Sequence, residues 1–215
     1  MNPRAWGPAV WRLLHAVAHR AVGRPVVHRR LRRLVCLLPK VMPCSLCRDS
    51  FATILGATGA GRRGPAWRGD PEHLLWDLHN RVNAKLGRTG APSLPDLRVV
   101  ATAREAAGQA LVTPQDIWFL LFIFAGCSDA LRVAPSPQQR QDCPVRQWHL
   151  CKFIHQLRRA LAAADMFPNL VARLAAVPWA RDECASMRAA ARVAGAAGVT
   201  EAVVHAVIRA VQVAH

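Results

Sequence analysis

Two cysteines three residues apart, in Pro43-Cys44-Ser45-Leu46-Cys47-Arg48, are the side chains of this sequence best suited to chemistry. At a helix N-terminus the first thiol meets unsatisfied N–H groups and the positive end of the helix dipole. Both stabilise thiolate and suit the pair to disulfide exchange. Arg48 and Lys40 add positive charge nearby. The same pair is also compatible with half a zinc site or with two inert thiols. Zinc needs two further ligands, normally a second CxxC or an HxxxH; no second CxxC accompanies this pair, and no metal is expected. Thioredoxin-like chemistry needs a βαβ setting, which is absent too.

A second constellation is His79-Asn80-Arg81-Val82-Asn83-Ala84-Lys85-Leu86. On a helix, His79, Asn80 and Asn83 share a face, while Leu75, Leu78, Val82 and Leu86 line the adjoining apolar side. An imidazole and two amides together offer hydrogen bonds and a flat ring to a polar heterocycle; singly, they also suit a solvated face. Trp11 and His15, at i and i+4, form a third pair that ordinary core packing would equally explain.

The elements that must hold these residues read as helices, and the expected fold class is all-α, two helical bundles with no strand-like alternation. One helix starts near Pro8 and ends by Gly23; a second spans about 28–40, with leucines on one face and arginines on the other. A third begins near Pro43. A Gly-rich basic loop, 56–70, precedes a fourth helix with Asp70 as N-cap, Pro71 at its first position and a stop at Gly87. A weakly apolar stretch follows to about Gln109. Further helices are expected at about 115–131, 144–164, 169–177, 180–193 and 200–214, and the domains divide as 1–108 and 109–215. The cluster Trp118-Phe119 and Phe122–Phe124 reads as core rather than interface.

Composition bounds the rest. The 215 residues carry 29 Lys+Arg against 13 Asp+Glu and are 52% hydrophobic, which excludes a disordered polycation. Lysine occurs only at positions 40, 85 and 152, leaving 26 arginines. Arginine and alanine together are what GC-rich coding produces, so the charge predicts non-specific attraction to polyanions rather than a function. The longest apolar run, 117–125, is nine residues, well short of the roughly 20 that span a bilayer, and no signal-peptide pattern opens the chain. Neither a membrane span nor classical secretion is expected.

In order, the blocks WGPAVWRLLHAVA (6–18), PCSLCRDSF (43–51) and HNRVNAKLG (79–87) resemble the Erv/ALR family of FAD-dependent sulfhydryl oxidases. The resemblance covers roughly residues 1–95 and is similar to large DNA virus members that carry a further helical domain. It implies a bundle of four helices plus a short fifth, FAD as cofactor and a homodimer. It further implies thiol-containing protein substrates and O2 as electron acceptor. By the same resemblance Cys44 takes the incoming thiolate and Cys47 lies against the flavin. Trp11, His15, His79, Asn80 and Asn83 contact the ring systems, with Lys85, and Arg88 beside it, near the phosphates. A viral origin would place the protein in the host cytoplasm, a viral factory or the virion.

Departures from the family pattern are specific. Met42 stands where the family often has an aromatic, and Trp76 stands where many members have a cysteine that staples the cofactor helix; no cysteine occurs from 48 to 126. With Trp6 already inside the first block, a shuttle disulfide would have to come from Cys127, Cys143, Cys151 or Cys184, for which structural roles are expected instead. Cys143 is expected in a loop before Pro144, with Cys151 two helical turns beyond. Cys36 reads as inert core. The reading from a different class is a non-enzymatic basic helical module that binds nucleic acid or virion components.

Overall fold

The computed structural model describes residues 3–60, 65–90, 92–130 and 136–176. They form eight α-helices and one short 3₁₀ turn, with no strand among the described residues, as the all-α expectation required. In chain order these are α1 (Pro3–His19), α2 (Pro25–Val41), α3 (Ser45–Ala57), the turn Pro65–Arg68, α4 (Pro71–Lys85), α5 (Leu94–Ala106), α6 (Pro114–Ala130), α7 (Pro137–Ala163) and α8 (Pro168–Ala176). The helices expected at 180–193 and 200–214 lie outside the described residues.

Local rules explain several boundaries. Asp70 caps α4 by accepting from the Glu72 amide at 2.9 Å, and Pro71 occupies the first turn, where a missing N–H costs nothing. Gly87, at φ +66°, ends the same helix in a conformation that other residues adopt only with strain. Two other boundaries differ from the sequence expectation. Helix α1 begins at Pro3, and α7 at Pro137, so Pro8 and Pro144 are helix-interior. An interior proline forfeits one backbone hydrogen bond. In α1 the upstream turn is held by Trp6, which is buried and packs edge-on against Phe124 with ring centroids 6.3 Å apart.

Helix α1 packs against α2, α4 and α6, while α2 lies between α3 and α7, and α7 also touches α6 and α8. The amphipathic stripes of α1, α2 and α4 meet through Leu13, Leu14, Val17, Leu31, Leu34, Leu38, Leu75 and Leu78, all buried. Each such side chain contributes about 1.5–3 kcal/mol relative to exposure. Helix α6 has apolar residues all round and is buried accordingly: Trp118, Phe122, Ile123 and Phe124 are core, and Phe119 is half-buried against it. Phe124 meets Phe153 of α7 edge-on at 5.6 Å.

The backbone of α7 also relocates Cys143, which lies within the helix rather than in a preceding loop. Eight residues on one helix separate it from Cys151, a rise of about 12 Å that a disulfide does not bridge. The side chains of Cys127 and Cys143, and all of Cys184, lie outside the described residues. Cys36 is half-buried and its thiol points to the Ala60 carbonyl at 3.8 Å.

Candidate active site

Helix α2 ends at Val41, and Met42-Pro43 lead into Cys44, the N-cap of α3. Cys44 and Cys47 form a disulfide, with Cα atoms 5.1 Å apart. The Cys47 amide donates to Cys44 Sγ at 3.1 Å, so the cap that starts the helix is itself a sulfur of the disulfide. Arg48 donates to the Met42 carbonyl at 3.0 Å, and Arg146 reaches that same carbonyl from α7 at 2.5 Å. Two guanidinium groups thus fix the peptide preceding the CxxC and keep positive charge beside it.

Along α3, Cys47, Phe51 and Ile54 recur at i, i+4 and i+7 and line one wall of a cavity of about 840 Å3. That size is in the range of small-molecule and cofactor sites. Helices α1, α4 and α5 supply the other walls. Trp11 and His79 stack face to face, centroids 4.0 Å apart and planes 8° from parallel. Phe51 packs on Trp11 at 6.3 Å, and His15 Nε2 lies 3.1 Å from His79 Nδ1, one ring donating and the other accepting. On the α4 side, Lys85 Nζ donates to Ser50 Oγ at 2.7 Å, tying α4 to α3.

Burial pushes His15 down to about 4 from the usual 6.5, with Glu72 opposing weakly. His79 falls to about 4 as well, through burial first and then His15 and Arg88. Both rings are neutral at pH 7 and are hydrogen-bonding groups rather than charges. In the unfolded chain they titrate near 6.5, so as pH falls the unfolded state takes up these protons first. Their contribution is nil above the unfolded pKa and destabilises increasingly as pH drops from 6.5 towards 4. The urea midpoint should therefore fall between about pH 7 and pH 5. Proton NMR should show neither imidazole titrating in that range; a midpoint near 6.5 for either ring would refute the assignment.

The fold gathers most of the site residues expected from sequence. Trp11, His15, Cys44, Cys47, His79, Asn83, Lys85 and Arg88 all line the cavity. Asn80 does not: it is half-buried on α4, one residue and about 100° round the helix from His79. Absent from the sequence reading is an ionic cluster on the cavity wall. Glu72 accepts from His19 Nδ1 at 2.7 Å and from Arg98 Nε at 2.6 Å, and Arg98 also pairs with Asp70. The residue pattern alone reads only a weakly apolar stretch where α5 lies, while the family resemblance implied a short fifth helix; α5 contributes Leu97, Arg98, Ala101 and Arg104 to the wall. Its signal was present in Ser93-Leu94-Pro95-Asp96, a capping pattern in which Ser93 Oγ accepts from the Asp96 amide at 3.3 Å. Where the family's staple cysteine would stand, Trp76 Nε1 donates to the Pro92 carbonyl at 3.0 Å and ties the α4–α5 connection to α4. Among the described residues, the Arg88 and Arg104 side chains on the cavity wall have no acidic partner within 4 Å.

The sequence model of the Erv1 / Alr family matches residues 8–96. The FAD-linked sulfhydryl oxidase ERV1 of Arabidopsis thaliana is 32% identical over 91 residues, covering 40% of this chain and 44% of that protein. The protein named FAD-linked sulfhydryl oxidase 347L, of Invertebrate iridescent virus 6, is 29% identical over 111 residues, 45% of this chain and 89% of its own length. The ERV1 protein of Oryza sativa subsp. japonica is 31% identical over 97 residues, and the chain spans less than half the length of either plant relative. No solved structure matches significantly. Over residues 8–96, the part that holds the CxxC disulfide and most of its cavity, this protein is homologous to the Erv1/Alr sulfhydryl oxidases, iridovirus members included.

Proposed function

We propose that the protein is a FAD-dependent thiol oxidase that forms disulfide bonds in partner proteins. The observation that carries this reading is a disulfide, Cys44–Cys47, set at a helix N-terminus on the wall of a cavity whose other walls bear the stacked Trp11 and His79. The donor set fits the cofactor. Trp11, Phe51 and the neutral His15 and His79 suit a flat heteroaromatic ring. Lys85, Arg88 and Arg104 suit a pyrophosphate, the two arginines having no acid to satisfy them. When bound, FAD supplies a two-electron acceptor that O2 can reoxidise with formation of H2O2.

The chain's own part is thiol exchange. A substrate thiolate attacks Cys44 Sγ, the Cys44–Cys47 bond breaks, and Cys47 leaves as thiolate. The substrate's second thiolate then attacks its own sulfur in the mixed disulfide, releasing an oxidised substrate and Cys44 as thiolate. The pair has gained two electrons and the substrate has lost two. The Cys47 amide, 3.1 Å from Cys44 Sγ, stabilises that departing thiolate, and a better leaving thiol speeds resolution. Leu46, 76% exposed between the two cysteines, gives an incoming peptide an apolar surface beside the disulfide. The cavity walls lie within residues 3–104 apart from Leu111, so we assign the chemistry to the segment 1–108 and a supporting role to 109–215.

Purified protein should be yellow, with close to one flavin per chain, and should consume oxygen on addition of dithiothreitol. A colourless protein that neither binds added FAD nor oxidises dithiols would overturn the proposal.

A further inference from the structure

Helices α2 and α7 run antiparallel: Arg24 donates to the Ala163 carbonyl at 2.7 Å, Arg30 to Gln156 Oε1 at 3.4 Å, and Arg146 to the Met42 carbonyl at 2.5 Å. Their outer surfaces share one kind of charge. On α7 the residues Trp148, Lys152, His155 and Arg159 recur at i, i+4, i+7 and i+11, and all four are exposed. Arg158 stands beside this row, and α2 adds Arg29, Arg30 and Arg33. Helix α2 contains no acidic residue, and the single acid of α7, Asp142, is more than a turn before Trp148.

Codon bias would scatter arginines without regard to partners. Five arginines elsewhere in the fold are matched: Arg12 with Asp116, Arg20 with Glu105, Arg24 with Asp165, Arg81 with Asp77 and Arg98 with Asp70 and Glu72. Among the described residues, none of Arg29, Arg30, Arg33, Lys152, Arg158 and Arg159 has an acid within 4 Å. These groups are close enough to act on one another. Burial, then Arg159, Arg33 and Arg29, makes Arg30 give up its proton more readily. His155 is lowered by burial and then by Arg159, Arg158 and Arg30. The repulsion lacks a counter-charge that a polyanion would supply.

The aromatic residue selects among polyanions. Trp148 is 41% exposed and carries Lys152 Nζ 3.2 Å over its ring centroid. It stands in the cationic row itself, whereas a membrane-surface helix separates its apolar and basic faces. An aromatic ring in line with phosphate-binding groups is the arrangement that grips unpaired bases, the ring stacking a base while the cations follow the backbone. From Trp148 to Arg159 the row rises about 16 Å, room for several nucleotides.

We propose that the α2–α7 ridge binds single-stranded nucleic acid without sequence preference, with a base stacked on Trp148 and phosphates on Lys152, Arg159 and the α2 arginines. The inference is independent of the oxidase chemistry. Fluorescence anisotropy of the full chain with a labelled oligothymidylate of about 12 nucleotides tests it. Binding should weaken steeply between about 0.05 and 0.2 M salt. Lys152→Glu with Arg159→Glu should cost at least about tenfold in affinity, whereas Arg20→Glu with Arg81→Glu, an equal change in net charge just past α1 and on α4, should cost no more than about twofold. Trp148→Ala should cost about fivefold or more and should remove any preference over duplex of equal length. Equal losses in the two paired variants would reduce the effect to net charge and overturn the proposal. It would be overturned equally if Trp148→Ala bound as the parent does, or if the ridge took up phosphatidylserine vesicles and not the oligonucleotide.

Discussion

Cys47→Ala is expected to lower dithiol-driven oxygen consumption at least about a hundredfold, and Cys44→Ala to do the same. In the proposed chemistry the two sulfurs act as one two-electron store, so removing either abolishes the disulfide that would accept a substrate's electrons. The variants should differ in what they trap. With Cys47 gone, Cys44 remains as a thiolate stabilised by the amide 3.1 Å away, and should capture an activated substrate disulfide as a stable mixed disulfide. With Cys44 gone, the remaining Cys47 thiol lies within the first turn of α3 but not at the cap position, and capture should be slower. Neither change should unfold the protein. The loop closed by residues 44–47 is too short to constrain the unfolded chain much, and α3 stays anchored through buried Phe51 and Leu55. Circular dichroism and flavin content should match the parent while turnover vanishes. A Cys47→Ala protein that still turned over dithiols at more than a few per cent of the parent rate would remove this disulfide from the mechanism.

What the sequence revealed of this site is what short-range rules encode. A cysteine at an N-cap, Asp70-Pro71 opening α4 and Gly87 closing it are decided within a few residues. The i, i+4 spacing of Trp11 and His15 placed both on one stripe of α1, but it could not say that His79 would stack on that stripe. Partners brought together by the fold were illegible for the same reason. Glu72 meets His19 across 53 positions and Arg98 across 26, and Arg146 reaches Met42 across 104. Misplaced helix starts have a related cause. Pro8 and Pro144 are good local punctuation, yet both are overridden, for a forfeited hydrogen bond is small beside the burial of a residue such as Trp6. Helix α5 escaped the residue pattern because it has no fully buried residue and hence a faint apolar period. Its capping box was the better signal.

Phe153→Ala should destabilise the protein by about 3–5 kcal/mol, a large share of the roughly 5–15 kcal/mol of a typical domain. Phe153 is 2% exposed at the centre of α7, and its ring abuts Phe124 edge-on at 5.6 Å; Phe124 in turn abuts Trp6 at 6.3 Å. That aromatic file ties α7 to α6 and α6 to α1, so truncation leaves a cavity where three helices meet. Phe153→Leu keeps most of the volume and should cost about 1–1.5 kcal/mol. Urea unfolding followed by helical circular dichroism would read both, and equal small losses would mean the file is dispensable. The effect should reach the redox loop without touching a cysteine. Arg146, two turns before Phe153 on the same helix, holds the Met42 carbonyl that precedes Pro43 and Cys44. A loosened α7 releases that carbonyl to Arg48 alone. Folded Phe153→Ala should therefore show faster reduction of the Cys44–Cys47 disulfide by dithiothreitol than Phe153→Leu, because a loop freed on one side opens more often to the attacking thiolate.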